Sequence, residues 1–422
     1  RAARAHGDAC CFQVGPWRSY LFNHPDLIQE FFSQLQNFQK EPALRITKTV
    51  LGEGLLTSEG ELHKRQRRLI QPAFHRQRIA SYAAIMVEKA LSTASSWEEG
   101  RTLDVNEEMM HLALSIVGQS LFGTQLEGEA ESIDRALGTA LKVFKDWMYR
   151  PFPTFWGKFP FPKTLKVRKA RRELDKTVFA MVARHRQRGT DNGDLLSMML
   201  FAEDAEGGGG RMSDTQVRDE AMTLLLAGHE TVGNALTYCW YLLAQNPEAE
   251  AKLHAELDAV LGDRPPALED YPRLAYTEQV FAESMRILPP AWAVGYQALK
   301  DTKIGGYDVP KGAVVNVAQY LMHHDPRYWP DPEKFEPERF TPEAKVSRPR
   351  FAYFPFGGGT RQCIGESFAW MEGVLVLATL ARQWRPRPVE GFKLEFFPSI
   401  TLRPKHGLPM VMLRRKPSPV RV

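Results

Sequence analysis

Cysteine is scarce in this chain: Cys10, Cys11, Cys239 and Cys363 are the only four among 422 residues. So few in so long a chain make no disulfide framework and suit a reducing interior. The one adjacent pair, Cys10-Cys11, is too tight for C-x₂-C, which disfavours a close-spaced zinc site. Long apolar runs are lacking too. The longest, Met222 to Ala244, carries His229 and Glu230 in its middle, and Gly373 to Ala381 is far too short to span a bilayer. Excess charge is small, +5, so no nucleic-acid partner is suggested. There is no internal repeat and no long low-complexity tract. What remains is ordinary globular composition, 43% hydrophobic and 25% charged, with ample material for a large core. The expectation is a soluble, cytoplasmic protein, with peripheral contact at a membrane surface left open. Because the chain opens on Arg1-Ala2-Ala3-Arg4 without Met, a truncated N-terminus is expected, and an upstream anchor stays open.

Helical periodicity dominates. It predicts helices over residues 26–34, 60–69, 76–96, 106–121, 131–148, 163–185, 248–261, 277–288 and 364–382. Ser213 followed by Gln216 is a capping box that starts a further helix running to about Gln245, apolar on most sides and therefore a buried rod. Gly207 to Gly210 mark a loop before it. Strand patterns are fewer: residues 18–22, 293–299, 313–317, 393–397 and 409–413. The fold class expected is mainly α with small β-sheets, although length alone would suggest two or three domains.

The most informative segment is Phe356-Gly357-Gly358-Gly359-Thr360-Arg361-Gln362-Cys363-Ile364-Gly365. A lone thiolate in a glycine-rich turn suits an axial haem ligand, because sulfur pushes electron density onto iron for O–O cleavage. Glycines let backbone lie against a flat macrocycle, Arg361 matches a carboxylate, and Phe356 can shield the sulfur. A phosphate loop fails on spacing, since Gln362 stands where the last glycine of G-x-G-x-x-G would fall. Inert packing of a buried Cys is the plainer alternative. The string matches F-x-x-G-x-R-x-C-x-G and resembles the haem-binding loop of the cytochrome P-450 superfamily, with Phe356, Gly359, Arg361, Cys363 and Gly365 in the fixed positions.

Three further stretches resemble that family, in its order. Ala227-Gly228-His229-Glu230-Thr231 is similar to the oxygen-activation motif. The resemblance implies that Thr231 hydrogen-bonds the oxygen being activated and that Glu230 feeds it protons. We expect Gly228 to loosen the helix so that the Thr231 hydroxyl turns away from the backbone; the competing arrangement is a back-bond to Ala227 O. Glu283-Ser284-Met285-Arg286 with Pro337-Glu338-Arg339-Phe340 is similar to the structural E-x-x-R and PERF pair, implying a buried Glu283–Arg286–Arg339 network. His63 and Arg67, spaced i and i+4, fall where the family holds haem propionates. Where many members carry an Arg for a propionate, this chain has Tyr296 beside Gly295, and its hydroxyl is expected to donate one weaker hydrogen bond there.

The resemblance implies one haem-thiolate domain over residues 1–422, with haem b between the central rod and the helix after the Cys loop. It implies a monooxygenase that uses O2 to oxidise an apolar fatty acid, terpenoid or steroid-like substrate. It further implies that electrons come from an external ferredoxin or flavodoxin-like donor, expected at a basic surface carrying Lys64, Arg65, Arg68, Arg76, Arg78, Arg348, Arg350, Arg382 and Arg385. The pocket by family position includes Met222, Leu226, Ala227, Ala293, Val294 and Ile400, residues 46–50 contribute, and Arg45 or Lys48 is placed to meet a substrate carboxylate. An aromatic, proline-rich lid is expected at residues 149–162. The alternatives are a peroxide-driven peroxygenase, an oxygen-independent isomerase or dehydratase, and a non-enzymatic haem sensor or electron carrier.

Overall fold

A computed structural model describes residues 7–123, 161–191, 193–204 and 210–415, with isolated positions 133, 136, 138, 139 and 143. Most of the helix expected at 131–148, the lid at 149–160 and Gly207 to Gly209 of the glycine run lie outside the described residues. The helices that frame the site are α1 (Pro25–Ser33), α2 (Gly60–Ile70), α3 (Arg76–Ser96), α4 (Val105–Phe122), α5 (Pro162–Arg188), α6 (Leu195–Phe201), α7 (Asp214–Gln245), α8 (Pro247–Leu261), α9 (Ala275–Ile287) and α10 (Glu366–Ala381). Sequence periodicity anticipated all but α6. That helix is only seven residues long, with Asp194 as its N-cap, and is too short to show a period.

α7 is the rod. Ser213 and Gln216 form the expected capping box, and side chains on every face between Val217 and Leu243 are buried. It packs along α4 and against α9, α10 and α5, which together form the main core. The strands are β1 (Ala9–Val14), β2 (Trp17–Phe22), β3 (Phe38–Lys40), β4 (Thr102–Asp104), β5 (Val294–Ala298), β6 (Thr302–Ile304), β7 (Tyr307–Val309), β8 (Val314–Val317), β9 (Arg387–Pro388), β10 (Phe396–Pro398), β11 (Leu402–Pro404) and β12 (Pro409–Val411). The largest sheet has the order β1-β2-β8-β5-β3, with only β2 and β8 parallel. One of its faces packs Tyr296 and Val315 onto Phe31 and Phe22 of a second, smaller core. The expected strand at 393–397 is shifted: β10 starts at Phe396 and pairs with β11 as a hairpin reaching α7. The fold is mainly α with small sheets, as expected. Among the described residues no helix is long and apolar enough to cross a membrane.

Candidate active site

The Cys loop closes on itself through the Cys363 N–H, which donates to Phe356 O at 3.0 Å. Gly359 has φ +65°, and a Cβ there would lie 2.4 Å from Phe32 O, so glycine is what lets the loop lie on α1. Phe356 packs half-buried on Trp370, ring centroids 5.8 Å apart. Cys363 is solvent-accessible yet densely surrounded by protein atoms. That enclosure pushes its thiol up to about 11; the Gly365 N–H pulls it down, Glu366 adds to the rise and Arg67 opposes it. A bound metal is what converts such a thiol to thiolate near neutrality.

A cationic cluster lies beside the loop. Arg67 donates to Gln362 O at 2.8 Å, and His63, one turn earlier on α2, is buried. Burial, then Arg361, Arg67 and Lys40 in turn, depress His63 to about 3. Arg361 donates to Ser58 O at 2.8 Å and forms an ion pair with Glu59. Tyr296 is held differently from expectation. It is buried, with Phe31 5.6 Å away, and its hydroxyl accepts from Lys40 Nζ at 2.9 Å. The cross-strand register Lys40↔Tyr296 brings the two together, and Lys40 Nζ sits 4.4 Å from the ring centroid. Lys40 therefore carries the charge that sequence reasoning sought near residue 295. No local motif marks it; only the pairing of β3 with β5 does.

On α7 two expectations need correcting. The helix does not loosen at Gly228: a Cβ there would lie 2.8 Å from Val117 Cγ2, so this glycine admits a close crossing with α4. The Thr231 hydroxyl accordingly stays on the helix and donates to Ala227 O at 2.6 Å. Glu230 is buried and gripped from the β10–β11 hairpin by the Thr401 hydroxyl and the Arg403 guanidinium. Arg403 was missed because it lies far from any motif.

A cavity of about 510 Å³ opens against this stretch of α7. Leu226, Ala227, Ala293, Val294 and Ile400 line it as expected, with Glu230, Thr231, Trp292 and Thr401. Met222 does not: it is fully buried in the main core, one turn before Leu226 on the same face of α7 and beyond the end of the cavity. Of residues 46–50 only Thr47 contributes. Arg45 and Lys48 are committed to protein partners, Gln297 at 2.8 Å and Glu53 at 2.8 Å, and are not placed to meet a substrate carboxylate.

Behind the loop, Arg286 grips Glu283 through two bonds of 2.7 and 2.8 Å, and Arg339 Nε lies 3.6 Å from the same carboxylate. Both members of the first pair are 0% exposed. Arg286 also donates to His323 O, Pro332 O and Lys334 O, which anchors the segment leading to the Cys loop. Much of the proposed basic surface is locally neutralised. Arg65 and Arg68 share Asp204, Arg78 meets Asp191, Lys64 meets Glu61, Arg385 meets Glu250, and Arg348 stacks on Trp329.

The family model for cytochrome P450 matches residues 1–410. This chain is a cytochrome P450. The P450 is 39% identical over 403 residues to cyclooctatin synthase of Streptomyces melanosporofaciens, covering 94% of this chain and 87% of the relative. From the same organism, cyclooctat-9-en-7-ol 5-monooxygenase is 39% identical, with coverage of 92% and 85%. Pentalenene oxygenase of Streptomyces avermitilis is 33% identical, with coverage of 90% and 84%. The crystal structure of the cytochrome P450DA heme domain superposes with a TM-score of 0.89 at 27% identity, covering 99% of this P450 and 92% of that chain. The protein is thus an oxidoreductase of the P450 monooxygenase type, and its cofactor is haem b with an axial cysteinate. The residues present fit that group: an accessible thiol in a glycine turn, with Lys40, Arg67 and Arg361 close enough to His63 to depress it and Glu59 paired to Arg361.

Proposed function

We propose that this P450 oxidises an apolar terpenoid, inserting one oxygen atom of O2 with electrons from an external donor. The observation that carries the reading is the cavity: apolar side chains from α7, β5 and the β10–β11 turn share it with Glu230 and Thr231. Relatives named for cyclooctatin, cyclooctat-9-en-7-ol and pentalenene support the substrate class.

Cys363 holds the iron, Gly359 and Gly365 let backbone approach the ring, and Phe356 screens the sulfur. Lys40, Arg67 and Arg361 as cations, and His63 as a neutral N–H donor, would hold the propionates. Bound haem supplies the chemistry of oxygen activation and insertion. The polypeptide supplies the rest. Apolar walls at Leu226, Ala293, Val294 and Ile400 fix the substrate by shape and exclude water. Glu230 holds or passes a proton on its carboxylate, with Thr401 and Arg403 fixing its position, and the Thr231 hydroxyl is the next group on the same helix. The donor meets the face nearest Cys363, where Arg76 and Arg350 are candidates for steering an acidic ferredoxin or flavodoxin-like protein.

The test uses haem-supplemented protein, a surrogate ferredoxin and reductase, and a panel of cyclic terpenes. The expected result is a thiolate-type reduced carbonyl spectrum and oxygenated terpene product. A histidine-type spectrum would remove Cys363 from the role; a thiolate spectrum with product only from fatty acids or steroids would remove the substrate class.

A further inference from the structure

One carboxyl group on the cavity wall has no task in the chemistry above. Glu41 lines the cavity at the end of β3, and among the described residues its carboxyl makes no hydrogen bond or ion pair. It is the N-cap of the helix Pro42–Arg45, yet its side chain does not cap. Its backbone N–H donates instead to Gly295 O at 3.3 Å, which extends the β3–β5 pairing by one step beyond Lys40↔Tyr296. The next pairing across the sheet is Gly295↔Asn316. Glu41, Gly295 and Asn316 therefore form one row across three strands, on the face opposite to Tyr296 and Val315.

The middle member of that row is what lets the outer two meet. A Cβ at position 295 would lie 2.5 Å from Glu41 Oε2 and 2.9 Å from Asn316 Oδ1. Glycine here leaves a notch in the sheet with an oxygen on each side. The Asn316 amide is oriented by its Nδ2, which donates to Tyr20 O at 3.4 Å, so Oδ1 is the atom left facing the notch. The neighbouring charge, Lys40 Nζ, is turned to Tyr296 OH. Among the described residues both oxygens thus lack a donor, in a cavity whose other walls are mainly apolar.

Given that reading of the cavity, we infer that the Glu41–Asn316 notch is a second recognition point, which binds a hydroxyl group already present on the terpenoid substrate. Burial pushes the Glu41 carboxyl upward while Lys40 opposes the shift, and its oxygens accept from a neutral hydroxyl in either protonation state. The preferred substrate is then an alcohol and not the parent hydrocarbon, so it must be supplied by a reaction that installs oxygen on the skeleton. Orientation is set by two fixed points, this notch and the apolar wall of α7.

The test compares matched ligands on the haem-loaded protein: cedrol with cedrene, and farnesol with farnesene. Dissociation constants come from isothermal titration and, independently, from the substrate-induced spin-state shift. The native protein should bind at least one alcohol about tenfold more tightly than its hydrocarbon, the effect of one sheltered hydrogen bond. Glu41→Leu should bring that pair within about twofold, while Glu41→Gln keeps most of the preference. Gly295→Ala, which fills the notch without removing either oxygen, should behave like Glu41→Leu. An unchanged alcohol preference in both Glu41→Leu and Gly295→Ala, or no preference for either alcohol in the native protein, overturns the inference. Loss of the preference in Glu41→Gln as completely as in Glu41→Leu would also overturn it, by assigning the notch to a cation. Because hydrocarbon binding and the thiolate spectrum are read in the same samples, failure of the terpenoid assignment shows separately, as absence of binding by both members of each pair.

Discussion

Arg403 and Glu230 are joined across the boundary between the β10–β11 hairpin and α7, with the Arg403 Nε and the Thr401 hydroxyl donating to the same carboxylate oxygen. The carboxylate is 2% exposed as a residue, whereas the arginine side chain is 22% exposed. The pair therefore links a buried acid beside the cavity to a partly solvated cation, and it ties the Ser399–Thr401 wall to α7.

Removing the acid should separate electron use from product formation. Glu230→Gln is expected to lower product formation by about 100-fold, the lower range for loss of a positioned proton-transfer group. Arg403→Gln leaves the acid in place and should cost roughly tenfold, with Thr401 still holding Glu230. Reductant consumed per product formed, with peroxide release, is the measurement.

Lys40 should govern retention of haem more than Tyr296 does. A charge-assisted hydrogen bond contributes about 1.5–3 kcal/mol, so Lys40→Met should speed haem loss by roughly 10- to 100-fold. Tyr296→Phe should change it little, since the ring contact with Phe31 remains. Haem transfer to excess apomyoglobin gives both rates.

The network behind the loop should behave as an all-or-none support. Glu283→Ala strands the buried Arg286 and half-releases Arg339, at a cost of about 3–5 kcal/mol. Denaturant titration of the haem-loaded protein should show that loss, and the Cys loop should release haem at lower denaturant than in the native protein.

Acid stability should report on His254, away from the site. Burial first, then Arg415, depress it to about 4, although Glu250 and Asp258 oppose the shift. An unfolded chain protonates this histidine below about 6.5 while the folded chain does not, so it binds more protons unfolded. Its contribution is complete above that pH and declines as pH falls through the window from 6.5 toward 4. His254→Gln should flatten the fall in denaturation midpoint between pH 7 and pH 5, leaving a residual slope from His323, which is depressed in the same direction by burial.

By itself the sequence determined what local chemistry determines. The capping box at Ser213, the period of the long helices and the glycine-flanked Cys363 are all written within short windows, because a helix and a tight loop are specified by neighbours a few residues apart. The spacing of Glu283 and Arg286 was legible for the same reason. The tertiary structure alone decided which residues meet. Lys40 reaches Tyr296 only through strand register, Arg403 reaches Glu230 only because a late hairpin folds onto α7, and Gly228 answers to Val117 on another helix and not to its own backbone. The same holds for Met222, which shares a helix face with the cavity residue Leu226 but is closed off one turn earlier by core packing. Sheet pairing and helix crossing join positions separated by more than a hundred residues. The side chains that complete the site, from Lys40 at one end of the chain to Arg403 near the other, were therefore set by packing.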